Sequence, residues 1–173
     1  MGRILTTQPV PIEGTLYPDY NRPMHIAADG SISYVRRKKP IWKGTITYSG
    51  YSRKMKQGAV KMPAPGDSFD VRLTPYQKTN SNTGVTCSAA DNGVLTVSST
   101  ANFTVGDYIK VGADGDLCRI EEIGTKLTVV PDTINQTGTI YKVAIVKGTP
   151  IESIEDSYRG MKSDDMTIEF MVI

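Results

Sequence analysis

Apolar and polar residues alternate most cleanly at two places. From Ser68 to Thr74, Phe69, Val71 and Leu73 fall on one face and Asp70, Arg72 and Thr74 on the other. Near the end of the chain Met166, Ile168, Phe170 and Val172 share a face in the same way. A period of two is the signature of a half-buried strand. So apolar a terminal strand is expected to pair inside a sheet, with the segments near 43–48 and 69–74 as its natural partners. Ile32, Tyr34 and the run Ile41-Trp42-Lys43-Gly44-Thr45-Ile46-Thr47-Tyr48 add β-branched and aromatic strand formers closed by Ser49-Gly50.

The middle of the chain reads as five short strands: 94–97, 108–111, 117–120, 127–130 and 140–143. Turn signals at Gly106-Asp107, Asp114-Gly115, Gly124-Thr125 and Pro131-Asp132 separate them. Short strands spaced by about ten residues fit a small barrel or sandwich. Residues 75–93 read as polar and turn-rich. Helix is expected only as a short piece near 51–60 or 151–162.

These patterns predict an all-β protein: a host β-sandwich or barrel sheet with an inserted small β-barrel-like subdomain. Residues 1–30 form an extended N-terminal arm, because Pro9, Pro11, Pro18 and Pro23 forbid a helix there. The arm either packs irregularly on its own domain or reaches a neighbouring subunit. Residues 31–79 together with 143–173 make the host domain, and 80–142 the insert.

Composition narrows the classes. The chain has 173 residues with 39% apolar and 22% charged, which suits one globular domain with an insertion. Sixteen glycines and ten prolines imply frequent turns. No apolar run reaches the about 18 residues of a membrane span, and the first residues lack an apolar signal core. Met1-Gly2 followed by Thr6 matches a myristoylation pattern without a second membrane signal. Two reduced, half-buried thiols, Cys87 and Cys118, are expected in a chain made in a cytoplasm, although a disulfide is compatible with the sequence.

The net charge of +2 conceals a split. Residues 1–62 carry eleven Lys/Arg against three Asp/Glu, and residues 63–173 nine against fifteen. Arg36-Arg37-Lys38-Lys39, flanked by Tyr34 and Trp42, is the densest basic run. Basic residues among aromatics suit single-stranded nucleic acid, and five strands suit an OB-like barrel. Against this, segment 80–142 has four basic residues and seven acidic ones, and an acidic barrel repels phosphate.

Candidate chemistry is sparse. His25 is the only histidine, so neither a Ser-His-Asp system nor a usual zinc site is expected. Gly112-Ala113-Asp114-Gly115-Asp116 offers carboxylates to a hard cation but is foremost a hairpin turn. Glu152, Glu155, Asp156, Asp164 and Asp165 read as a solvated or partner-facing acidic stretch rather than as hydrolytic carboxylates. The expectation is a non-enzyme without cofactor or metal.

The basic run followed by Ile41-Trp42-Lys43-Gly44-Thr45-Ile46 resembles the early strand of small tail-tip proteins of long-tailed bacteriophages. Residues 97–111, with Phe103-Thr104-Val105-Gly106-Asp107 leading into a strand, resemble a module of phage tail and baseplate proteins. In that module an Arg-Ile strand (Leu117 to Ile123) and a Leu-Thr-Val strand (Leu127 to Val130) follow. Phe103 and Val105 are expected to anchor the chain reversal. The host-plus-insert layout resembles distal tail proteins, although the chain is short for that family.

The resemblance implies a virion structural protein, made in the host cytoplasm, that forms a homo-oligomeric ring joining tail tube to tip and contacts other tail proteins. The interface residues expected are Arg36, Arg37, Lys38, Lys39 and Trp42 on one flank and Glu152, Glu155 and Asp156 on the other. The alternatives are a head-to-tail connector, a capsid decoration protein, or an OB-like single-stranded nucleic-acid-binding protein.

Overall fold

A computed structural model of the chain describes residues 3–4, 13–20, 24–34, 39–48, 60–61, 65–73, 79–151 and 166–173. Fifteen strands lie among them, and none of the described residues is helical. They are β1 (Arg3–Ile4), β2 (Glu13–Asp19), β3 (Met24–Ile26), β4 (Ile32–Tyr34), β5 (Ile41–Tyr48), β6 (Val60–Lys61), β7 (Phe69–Arg72) and β8 (Ser81–Asp91). Then come β9 (Val94–Val97), β10 (Tyr108–Val111), β11 (Leu117–Ile123), β12 (Leu127–Val130), β13 (Gly138–Lys142), β14 (Ile145–Pro150) and β15 (Met166–Val172). The protein is all-β. Both segments expected to hold a short helix lie almost wholly outside the described residues.

The chain divides into two compact units. One comprises Met1–Tyr17, Trp42–Ser81 and Val143–Ile173, and the other Pro18–Ile41 and Asn82–Lys142. Residues 18–41, divided by the sequence pattern between an arm and a host sheet, thus group with the insert.

The first unit is built on an open sheet ordered β2-β5-β15-β14-β7. Period-two alternation puts Leu16, Trp42, Ile46, Phe69, Val71, Val146, Ile168 and Phe170 in its core. Phe170 pairs with Gly44 on β5 and with Pro150 on β14. A Cβ at Gly44 would stand 2.9 Å from the Phe170 ring and one at Gly148 also 2.9 Å from it. The two glycines therefore make room for one large ring between their strands, an aromatic filling the gap that glycine leaves. Phe69 meets that ring edge-on, with centroids 6.0 Å apart and planes at 77°. The other face is polar, with hydroxyl pairs Thr15–Thr45 at 2.8 Å and Thr47–Thr167 at 2.9 Å.

Three expectations change here. The C-terminal strand does pair with β5, but its second neighbour is β14, and β7 pairs with β14 instead. Gly148-Thr149-Pro150, a turn-like sequence by composition, is the end of strand β14, since Gly148 is needed under Phe170 and the Thr149 hydroxyl accepts a bond from the Gly66 amide at 2.9 Å. Residues 13–19, expected in an extended arm, form the sheet's terminal strand. Pro18 is tolerated there because one side of an edge strand needs no ladder donor.

The second unit contains a closed six-stranded barrel in the order β10-β11-β12-β9-β8-β13, with β13 returning to pair with β10. β10, β11 and β12 follow one another antiparallel while β13 lies beside β10, a Greek-key arrangement. Its core holds Val85, Cys87, Leu95, Phe103, Ile109, Val111, Cys118, Ile120, Leu127, Val129, Ile134 and Ile140. Closure leaves no free edge. The sixth strand, β8, is the one the sequence pattern missed. Ser81, Asn82, Thr86 and Ser88 are exposed, Thr83 is half-buried with its hydroxyl donating to the Ile140 carbonyl at 2.7 Å, and Val85 and Cys87 point into the core. The same unit includes the hairpin β3–β4, whose turn is fixed by the Asp29 carboxylate accepting the Ser31 amide at 2.9 Å.

Candidate functional site

Several charged side chains of the barrel unit pair with one another. At the Phe-x-x-Gly-Asp turn, the Asp107 carboxylate accepts the Thr104 amide at 2.8 Å and pairs with the Lys142 ammonium at 2.7 Å. That ammonium also lies 5.7 Å from the Phe103 ring centre. Gly106, with φ of 93°, donates to the Ile120 carbonyl at 2.8 Å, and Ile120 donates back to Asp107 at 2.9 Å. The turn is thereby bolted to β11 and β13. Phe103 is buried as expected, whereas Val105 is 59% exposed and anchors nothing, because the turn points its side chain outward.

A second cluster joins Arg119, Glu121 and Tyr108. The Arg119 guanidinium donates twice to one Glu121 oxygen. This bond holds the guanidinium pKa above its ordinary value. Burial pushes the Tyr108 phenol up, partly offset by the adjacent Arg119 charge. Neither group is set up as an acid or base at neutral pH.

The two cysteines are free and buried in the barrel core. Burial pushes the Cys118 thiol up to about 12, with the Asp116 charge adding to the effect, and its S–H faces the Ile109 carbonyl at 3.4 Å. Cys87 is raised for the same reason, burial. A nucleophilic or metal-binding cysteine needs the thiolate, which these surroundings disfavour. Among the described residues no three His, Cys, Asp or Glu side chains are grouped to hold a metal ion. The Gly112–Asp116 segment is a tight turn, with the Gly115 amide donating to Gly112 at 3.2 Å.

Of the expected interface residues, Arg36, Arg37, Lys38, Glu152, Glu155 and Asp156 lie outside the described residues, as do Asp164 and Asp165. Lys39 is exposed, and its ammonium pairs at 2.9 Å with Asp116 of the same chain. Trp42 is only 6% exposed. It is a core residue of β5 rather than a partner-facing one, because strand alternation directs it to the same face as Ile46. The two belong to different units.

One functional-looking residue escaped the sequence reading. Asn80 stands where the chain enters the barrel strands, and its Oδ1 accepts the amides of Ala144 and Ile145 at 2.8 and 3.0 Å. Its Nδ2 donates to the Ile145 carbonyl at 3.2 Å. The side chain clasps the outgoing chain to the returning one. No local signal marks it, since the partners lie more than sixty residues on.

No family model matches this chain, and none of the curated proteins matches it.

Proposed function

We propose that this protein is a virion structural component that assembles into a ring at a phage tail tip or baseplate. The observation that carries the reading is the pairing of polar groups in the barrel unit. Asp107, Lys142, Arg119, Glu121, Asp116 and Lys39 are all held by partners within the chain. A closed barrel braced this way suits a rigid building block better than turnover. The Phe-x-x-Gly-Asp module and the Trp-x-Gly strand resemble phage tail proteins, and the opposite charge of the two parts of the sequence suits a head-to-tail contact between copies.

Light scattering and negative-stain imaging of the purified full chain test this reading: a discrete ring is expected. Substituting Glu for Arg36, Arg37 and Lys38 should weaken the ring, and Lys at Glu152, Glu155 and Asp156 should partly restore it. Lys39 is left intact because its Asp116 pair lies within one subunit. A chain that stays monomeric at high concentration, alone and with candidate tail proteins, counts against assembly. Rings found at the neck or on the capsid of labelled virions would favour the connector or decoration alternatives. The closed barrel and the basic run among aromatics favour a nucleic-acid role, and a salt-sensitive shift with single-stranded DNA would move the assignment there.

A further inference from the structure

We infer that Asn92-Gly93 is a backbone-rearrangement site that the closed barrel keeps unreactive and that an opened barrel releases irreversibly, independent of the assembly reading. Asn92 and Gly93 are the two central residues of the β8–β9 hairpin, flanked by the Asp91–Val94 pair. Their φ values of 47° and 77° are the left-handed pair demanded by a two-residue turn of this kind. Asn92 is exposed while Gly93 is buried. The Gly93 carbonyl accepts the Val129 amide of β12 at 2.8 Å. A Cβ on Gly93 would stand 2.7 Å from the Val129 carbonyl oxygen and 2.8 Å from the Asp132 Cα.

An asparagine followed by glycine meets little steric hindrance to cyclisation. The Gly93 amide nitrogen attacks Asn92 Cγ, a C–N bond forms, the bond from Cγ to the amide nitrogen breaks, and ammonia leaves. Water then opens the cyclic imide at either carbonyl, leaving an aspartate or an isoaspartate at position 92; nothing is oxidised or reduced. Ring closure requires the Asn92–Gly93 peptide to rotate out of the turn. The flanking strand pair and the Val129 bond hold it in place, so the reaction waits for the hairpin to open.

The isoaspartyl product carries an extra methylene in the main chain. It lengthens the chain at position 92 and so displaces Gly93, whose carbonyl is bonded to Val129 and beside whose Cα backbone atoms of β12 and its following loop leave no room even for a methyl group. The rearranged hairpin therefore loses its seat on β12, and the barrel seam between β9 and β12 does not re-form. A subunit that has opened is in this way marked as unable to close.

The test incubates the full chain in mildly alkaline buffer, native in one arm and in urea in the other, and follows position 92 by peptide mass mapping with isoaspartate-specific methylation. The native arm should react at least roughly tenfold more slowly, the ratio set by an opening free energy of about 1.4 kcal/mol. After dilution from urea, the isoaspartyl fraction should stay unfolded by near-ultraviolet circular dichroism, whereas N92D should refold, because aspartate also suits this turn. Equal rates in the two arms would overturn the protection. An isoaspartyl fraction that refolds as well as N92D would overturn the irreversible step.

Discussion

The open sheet and the closed barrel solve the same problem, an all-β core, from opposite starting points. The barrel strands β8 to β13 are contiguous in sequence from Ser81 to Lys142 and are joined mostly by short turns. Closure removes their edges. The sheet gathers five strands from β2 at residue 13 to β15 ending at residue 172, and it keeps two terminal strands. Its core depends on one large ring, Phe170, fitted between glycines of neighbouring strands. The barrel core instead spreads over many aliphatic side chains of medium size. Local connection makes a unit tolerant and quickly formed, whereas distant pairing makes it depend on a few long-range fits.

The largest test of this contrast is Phe170→Ala. Removing a fully buried ring that two glycines were shaped around should cost about 3–5 kcal/mol, read from urea unfolding. Hydrogen exchange should show protection lost in β5, β14 and β15 and retained in β9 to β12. Ile120→Ala, costing about 2–5 kcal/mol, should give the converse pattern. If either variant lost protection in both regions together, the two units would behave as one cooperative block and the contrast would collapse.

Next in size is Asn80→Ala. The loss of three bonds, with the Ala144 and Ile145 amides left without their acceptor, should cost about 1–3 kcal/mol. Its effect sharpens the comparison because Asn80 guards the point where one unit's chain becomes the other's. A change in denaturant midpoint below the error of the measurement would remove it from that role.

Cys118 gives a pH test confined to the barrel. Its thiol keeps its proton to about 12 in the folded chain, against an ordinary value of 9.0. The unfolded thiol ionises first, so the folded state has its full stability below about pH 9 and loses some as pH rises from there toward 12. Urea midpoints of the barrel should fall over that range, and less so in Cys118→Ala. Parallel pH curves for the two chains would contradict this.

The smallest effects are electrostatic. Lys142→Met should cost about 1 kcal/mol, because its pair with Asp107 is partly buried and the ammonium also sits on Phe103. Asp116→Asn, at an exposed pair with Lys39, should cost only about 0–1 kcal/mol. A larger loss at Asp116 than at Lys142, measured by thermal unfolding, would reverse the assignment of the brace.

Period-two alternation at 69–72 and 166–172, and the Gly-Asp turns between short apolar runs, were enough to identify strands in both units. They work because one face of each strand is buried and the other wet. The alternation failed for β8, whose outward residues are turn formers by composition. Asn92-Gly93 just ahead of Val94-Leu95-Thr96-Val97 was the available signal, since a two-residue hairpin of this type requires a strand before it. The interface expectation rests on charge and aromaticity alone. That logic misplaced Trp42, because burial of an aromatic depends on which face of its strand is covered.

By itself, then, the sequence determined the all-β class, most strand positions and the turns, since each follows from residues near one another in the chain. Only the tertiary structure decided the sheet order, the placing of β14 between β7 and β15, the closure of the barrel by β8, the Asn80 clasp and the Lys39–Asp116 pair. Each of these joins segments separated by tens of residues, and neither local propensity nor periodicity carries information on which distant strand a given edge will meet.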